Sequence, residues 1–162
     1  MTAVAIEIRE LDLKHLDAIE TIEKRAYPTP WSRSMFAGEL AKPSSIGIGA
    51  FDDHEGAIRL VGYVIVSRYV DAWHVMNIAV EPAYRHQGVA TTLLDELFRL
   101  TEGDPRRGYT LEVRVSNATA IALYERAGFR ATGVRRGYYT DNREDALIMW
   151  KDPVQKAAAS SA

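Results

Sequence analysis

The chain has no cysteine, and this absence excludes several kinds of chemistry at once. Without thiols there is no disulfide, no thiolate zinc site and no cysteine nucleophile. A chain without cysteine also fits a reducing compartment. An excess of charge of one sign is lacking as well, since the formal net charge of the 162 residues is −2. This balance gives no electrostatic reason to expect binding to nucleic acid or to an anionic membrane.

Long apolar runs are also missing, and none approaches the ~20 residues that a membrane-spanning helix requires. Residues 1–9 lack the basic stretch followed by an apolar block that marks a signal peptide. The four histidines show no ligand spacing such as HExxH, and no GxSxG element indicates a serine hydrolase. We therefore expect a cytoplasmic protein without a bound metal, and with no direct contact to nucleic acid or membrane.

The patterns of apolar residues that are present predict an α/β fold. Apolar residues at every second position predict strands, and apolar residues three and four apart predict helices. The predicted order is β-α-α-β-β-β-α-β-α-β-β, which favours a mixed sheet with helices on both faces. We predict a single domain over residues 1–153. Residues 154–162, rich in alanine and serine, have nothing to pack against and are predicted to be disordered.

Capping residues mark several of the predicted element ends. Ser32 follows two prolines and can cap a short helix, and Asn117 can cap a later helix that Gly128 closes. A polar turn then separates the two strands of a final hairpin, over about residues 129–139 and 146–150.

The segment at residues 85–91 follows an apolar strand and opens a long amphipathic helix. A loop in that position leaves backbone N–H groups free at the positive end of the helix dipole, which makes a site for phosphate or pyrophosphate. Gly88 lets the backbone approach a ligand closely, and small Ala90 keeps the next turn open. Taken alone, the spacing R-x-x-G-x-A fits an ordinary turn with a helix cap at least as well. The segment consists of Arg85, His86, Gln87, Gly88, Val89, Ala90 and Thr91.

Placed between a strand and a helix, this segment resembles the acetyl-CoA pyrophosphate loop of the GNAT acetyltransferase superfamily. Further motifs match in order and spacing, and together they resemble the RimI-type ribosomal-protein N-terminal alanine acetyltransferases over residues 5–150. Ala90 is a small departure, because the wider superfamily often has glycine at this position. The matching motifs lie at residues 30–32 (PWS), 76–82 (MNIAVEP), 111–117 (LEVRVSN), 122–129 (ALYERAGF), 135–139 (RRGYY) and 144–146 (EDA).

The resemblance implies the GNAT fold, whose twisted mixed sheet is mostly antiparallel, and acetyl-CoA as cosubstrate. It implies that the acceptor is the N-terminus of a protein, such as a ribosomal protein beginning with alanine, and that its amine attacks the thioester directly. If the sheet splays at Ile78, Ala79 and Val80, their backbone groups can pair with the pantetheine, and one N–H can hold the oxyanion. Asn117 matches a cofactor-contacting residue of the family.

Glu112 is the candidate general base. Periodicity places it on one strand face with Thr110 and Arg114, and by itself this pattern favours a solvated face. An amine must be neutral to attack, however, and an α-amino group has a pKa near about 8 against about 10.4 for lysine. Deprotonating an N-terminus therefore costs roughly 3 kcal/mol less, which a single carboxylate could manage directly or through a water. By resemblance, Glu112 matches the proton acceptor of the RimI-type enzymes.

Tyr124 is the candidate general acid. The structural interpretation is an ordinary core tyrosine, and for an arbitrary tyrosine that interpretation is favoured. A phenol of pKa about 10 can nevertheless protonate a departing thiolate of pKa about 8.5 within a hydrogen bond. By resemblance, Tyr124 matches the proton donor.

Three aromatic residues are candidate contacts to the acceptor, because in this family the loop near Trp31 and the final hairpin with Tyr138 and Tyr139 flank the peptide groove. Two other functions stay open at this point. The first is an acetyltransferase of the same fold that acts on a small amine or a lysine side chain. The second is a non-catalytic acyl-CoA-binding module, which would need neither Glu112 nor Tyr124.

Overall fold

The computed structural model describes residues 5–54 and 56–155. Within them, seven strands and four helices follow one another in the predicted order, with 3-10 turns at Leu13–His15 and Pro82–Tyr84. Most of the tail predicted to be disordered lies outside the described residues. The elements are β1 Ile6–Glu10, α1 Leu16–Ala26, α2 Arg33–Leu40, β2 Ser45–His54, β3 Ala57–Arg68, β4 Ala72–Val80, α3 Val89–Thr101, β5 Gly108–Arg114, α4 Ala118–Arg126, β6 Arg130–Arg135 and β7 Ala146–Lys151.

The strands form one sheet in the order β1-β2-β3-β4-β5-β7-β6. Strand β2 pairs antiparallel with β1 and β3, and β7 pairs antiparallel with β5 and β6. The pairing between β4 and β5 is parallel and runs from Ala72 opposite Gly108 to His74 opposite Thr110. The predicted mixed and mostly antiparallel sheet is therefore confirmed.

The chain divides into two compact units, one of residues 1–68 and 75–96 and the other of residues 69–74 and 97–162. In the first unit, the apolar stripe of α1, with Ile19 and Ile22, packs with Phe36 and Tyr63 in a buried cluster. Gly62 on β3 leaves room for the start of α3, since a Cβ there would meet Val89 Cγ1 at 3.1 Å. The prediction that residues 1–153 act as a single domain stays a prediction.

The second unit is built around aromatic contacts. The ring of Phe98 lies edge-on to Tyr109, with 5.0 Å between centroids, and also packs on Phe129. Asn117 caps α4 as predicted, because its side-chain oxygen accepts from the Ala120 N–H at 3.2 Å. Ser32 caps α2 of the first unit in the same way.

The strand before the final turn is shorter than predicted. It ends at Arg135, four residues before the expected boundary at residue 139. The cause is Gly137, which has a positive φ of 58°, and whose N–H bonds to the Asp145 carboxylate at 2.8 Å instead of continuing the ladder.

Candidate active site

The loop predicted to bind pyrophosphate has the backbone geometry of an anion site. His86 and Gly88 both adopt positive φ, at 62° and 78°. The bond from the Thr92 N–H to the Gly88 carbonyl, 3.0 Å long, begins the helical ladder, so the N–H groups of residues 89–91 have no acceptor within the helix. Apart from the adjacent residues, no atom of the part of the chain that the structure describes lies within 4 Å of the position that a Cβ on Gly88 would take. The backbone is therefore open to a ligand, and the residues fit a pyrophosphate.

Two side-chain contacts hold the residues that immediately precede this loop. The Tyr84 hydroxyl donates to the buried Asp52 carboxylate at 2.7 Å, and this hydrogen bond raises the pKa of Tyr84. Glu81, also buried, accepts from Arg25 at 2.7 Å. The chain just before the loop is thus held by two side-chain contacts, one at Glu81 and one at Tyr84.

Strand β4 continues beyond its short parallel ladder, which ends at His74. Ile78, Ala79 and Val80, the residues predicted to pair with the pantetheine, lie further along the strand. The Ile78 carbonyl already accepts a hydrogen bond from the Tyr27 hydroxyl. A carbonyl has a second lone pair, so the assignment of these backbone groups stays a prediction.

Strand β5 presents Glu112 on the predicted face, but the carboxylate is not solvated. Its side chain is only 10% exposed. His74 Nε2 lies 2.6 Å from Oε2 of Glu112, and Arg135 Nε lies 3.5 Å from Oε1. The solvated-face interpretation is therefore wrong for this residue, whose carboxylate lies against the His74 ring and the Arg135 guanidinium.

These partners lower the pKa of Glu112. The hydrogen bond with His74 lowers the pKa of the carboxyl below its usual range, and it outweighs burial, which acts to raise it. The charge interactions with His74 and Arg135 lower the pKa further. Glu112 is therefore ionised at neutral pH, as an ordinary glutamate is. The lowered pKa makes it a weaker base, so it can accept a proton only from an ammonium group held directly against it or connected to it by a water.

Sequence reasoning missed His74. It treated this residue as one of several scattered histidines, because nothing in the local pattern of β4 points to a partner nearly forty positions away. The signal lies in the strand pairing. His74 stands opposite Thr110, two residues before Glu112 on the same face of β5.

Tyr124 lies on α4 and is buried, with 6% exposure. Its ring meets Phe129 edge-on at 5.8 Å, and its carbonyl accepts from the Phe129 N–H. This environment fits a core tyrosine as well as a proton donor, so the catalytic role of Tyr124 stays a prediction. The cofactor contact of Asn117 likewise stays a prediction, and its side chain serves as the cap of α4.

The three aromatic candidates for acceptor binding occupy two places. Trp31 packs on Phe36 at 5.1 Å in the first unit. Tyr138 and Tyr139 follow β6 in the second unit, with their rings edge-to-face at 5.1 Å. Tyr139 lies under the Arg114 guanidinium, and burial raises its pKa to about 12. Burial and then the charge of Glu112 raise the pKa of Tyr138, which is 44% exposed.

A model of the acetyltransferase (GNAT) family matches residues 16–129, which is more than half of the chain. The chain belongs to the GNAT acetyltransferase family. The prediction made from the motifs is thus confirmed. Among residues 5–54 and 56–155, this acetyltransferase has no cluster of three side chains suited to a metal ion. None of its helices in those ranges is long and apolar enough to cross a bilayer.

Relatives of the acetyltransferase place it more narrowly. It is 38% identical over 144 residues to the Escherichia coli [ribosomal protein bS18]-alanine N-acetyltransferase, covering 88% of this chain and 94% of the relative. It is 37% identical over 127 residues to the Mycobacterium tuberculosis N-alpha-acetyltransferase RimI, covering 76% of each chain. The crystal structure of an Escherichia coli ribosomal-protein alanine N-acetyltransferase matches with a TM-score of 0.82 at 36% identity, covering 98% of this chain and 99% of that one.

Proposed function

We propose that this acetyltransferase transfers the acetyl group of acetyl-CoA to the N-terminal amine of a protein that begins with alanine, and that the acceptor is a ribosomal protein. The relatives named for this reaction support the assignment, because the identity extends over nearly the whole of both chains. Within the structure, the supporting observation is Glu112, a poorly exposed carboxylate whose pKa is lowered by its hydrogen bond with His74. A non-catalytic acyl-CoA-binding module would have no use for such a group.

Glu112 supplies the base that the acceptor amine needs. At pH 7, removing the proton from an α-ammonium group of pKa about 8 costs about 1.4 kcal/mol, against about 4.6 kcal/mol for a lysine. The first cost is within reach of one carboxylate acting directly or through a water, whereas the second is much less favourable. His74 Nε2 lies 2.6 Å from one oxygen of Glu112, whereas Arg135 Nε lies 3.5 Å from the other oxygen. That second oxygen is the proposed proton acceptor.

The bonds change in one direct transfer. Acetyl-CoA supplies the acetyl group as an activated thioester. Glu112 first takes one proton from the acceptor ammonium. The neutral amine nitrogen then bonds to the acetyl carbon and the carbon–sulfur bond breaks. Tyr124 is the proposed donor of a proton to the departing sulfur. The second amine proton, released as the amide forms, replaces the proton that Tyr124 gives up. No residue of the chain becomes acetylated in this scheme.

The binding residues divide by the ligand that they hold. The backbone of residues 85–91 is proposed to hold the pyrophosphate of acetyl-CoA. The rest of the acetyl-CoA molecule is proposed to contact Ile78, Ala79, Val80 and Asn117. Trp31, Tyr138 and Tyr139 are proposed to contact the acceptor. The cytoplasmic location inferred from the sequence remains a prediction.

A peptide panel tests the acceptor. Peptides that differ only in their first residue are incubated with acetyl-CoA, and mass spectrometry locates the acetyl group. We expect transfer to the α-amine of alanine peptides, and far slower transfer to the same peptides with blocked N-termini and an internal lysine. Predominant labelling of lysine, or of small amines alone, would instead support an acetyltransferase that acts on a small amine or a lysine side chain. Binding of acetyl-CoA without any transfer would support the binding module.

A further inference from the structure

Glu23 on α1 is a buried carboxylate that the proposed mechanism does not use. Only 2% of the residue is exposed. Burying a carboxylate is costly unless its oxygens are hydrogen-bonded. Here the Tyr63 hydroxyl donates to Oε1 at 2.5 Å, the Trp31 backbone N–H donates to Oε2 at 2.9 Å, and the Asn77 amide donates to both oxygens at 3.0 Å.

The number of these bonds argues against a direct role in proton transfer. Three protein groups donate to Glu23, and together they contact both of its oxygens. Glu23 therefore acts on its protein neighbours, and its effect on the reaction has to pass through them.

Those neighbours join two parts of the first unit. Trp31 belongs to residues 27–32, the segment between α1 and α2, and Asn77 directly precedes Ile78 on β4. Tyr27, at the other end of the same segment, donates its hydroxyl hydrogen to the Ile78 carbonyl. The segment is thus tied to the same stretch of β4 at both ends, directly at Tyr27 and through Glu23 at Trp31.

We propose that Glu23 is a positioning residue that holds residues 27–32 against β4 beside Ile78, and so fixes where the acceptor's N-terminal residues bind. This inference rests on the proposed function, in which Trp31 contacts the acceptor and Ile78 the acetyl-CoA. An apolar side chain in place of Glu23 would leave the Tyr63 hydroxyl, the Asn77 amide and the Trp31 backbone N–H without their acceptor. Of these donors, the Trp31 N–H is the one that belongs to residues 27–32, so Glu23 connects that segment to β4.

The test is Glu23→Gln, which keeps the shape and turns one acceptor oxygen into a donor that faces other donors. We expect kcat/KM for the acceptor peptide to fall by about tenfold to a hundredfold, the range for losing a hydrogen bond to a charged group. The loss should lie mainly in the KM for the peptide, while calorimetry shows the affinity for acetyl-CoA unchanged within about twofold.

Glu39→Gln is the matched control. Glu39 is also a buried glutamate of the first unit, on α2, and accepts from Ser45 and Lys42 at 2.9 Å each. Its replacement should leave the KM for the peptide at the wild-type value. If Glu23→Gln does not fold, Tyr27→Phe removes the other tie and should give the same rise in KM.

The two hypotheses fail in different ways. Wild-type transfer to alanine peptides reports on the proposed function, whereas the ratio of variant to wild type, measured on whichever acceptor the wild type uses, reports on positioning. A peptide KM that is unchanged in Glu23→Gln, or unchanged in Tyr27→Phe where the first variant does not fold, overturns the inference. Equal losses of affinity for peptide and acetyl-CoA also overturn it, because they indicate a general structural defect.

Discussion

Replacing Glu112 by glutamine is the most direct test of the proposed chemistry. Glutamine keeps the shape of the side chain and can still contact His74, but it cannot accept the amine proton. General-base catalysis of this kind contributes about 10²–10⁴-fold to the rate. We therefore expect kcat to fall by that factor at pH 7, while the affinity for acetyl-CoA stays at the wild-type value.

The loss should depend on pH in a way that identifies the missing step. An α-amino group of pKa about 8 is about one-tenth neutral at pH 7 and about nine-tenths neutral at pH 9. The variant depends on amine that is already neutral, so its rate should rise by nearly tenfold over this interval. The wild type, whose carboxylate removes the proton, should rise less. The gap between the two proteins should narrow accordingly.

The assay is initial-rate measurement on an alanine peptide at saturating acetyl-CoA, between pH 6.5 and 9. Glu39→Gln serves as the control for loss of a buried carboxylate elsewhere in the chain. A Glu112→Gln variant with the wild-type rate at pH 7 would refute the assignment. A large loss that stays constant across the pH range would mean that Glu112 has a role other than proton removal.

Three further predictions concern the partners of Glu112, the loop and the folded state. His74→Ala removes the largest cause of the lowered Glu112 pKa, so the acid limb of the kcat/KM profile should move to higher pH. His74→Gln should move it less, because an amide can still donate to the carboxylate. An unchanged pH profile would contradict this prediction. Gly88→Glu places a negative side chain in the open space beside the loop, at a residue whose φ is positive. Calorimetry should show acetyl-CoA binding weakened at least tenfold. Unchanged affinity would mean that the loop does not bind the pyrophosphate. The pKa of Glu112 in the folded state lies below the ordinary 4.5. The ionised Glu112 side chain therefore stabilises the fold above pH 4.5, and this stabilisation is lost as the pH falls through the lower pKa of the folded state. Urea unfolding at pH 6 and pH 3.5 should therefore show the difference in unfolding free energy between wild type and Glu112→Gln shrinking in acid.

Local patterns predicted the elements of this fold well. Alternation along β5 and the caps at Ser32 and Asn117 depend on residues within a few positions of one another, so one sequence is enough to recognise them. The strand at residues 130–135 was predicted too long because the turn at Gly137 depends on a bond to Asp145, beyond the reach of a local pattern.

The candidate site shows the same division. The motifs identified the pyrophosphate loop and Glu112 as candidates, but not what holds either of them. His74 lies beside Glu112 because β4 and β5 pair in parallel over three residues. Glu23 accepts hydrogen bonds from residues on β3, on β4 and in the segment after α1. Such contacts depend on register and packing over tens of residues. Sequence periodicity carries no information about them.

The backbone conformation of His86 has a consequence for how acetyl-CoA would be captured. A side chain in the left-handed region costs about 1 kcal/mol, which only a glycine would avoid. Such a conformation persists only when the surrounding structure holds it. The hydrogen bonds of Tyr84 with Asp52 and of Glu81 with Arg25, just before the loop, are contacts of that kind. An anion site that the fold holds in shape loses less entropy when a ligand binds than a loop that must order around it.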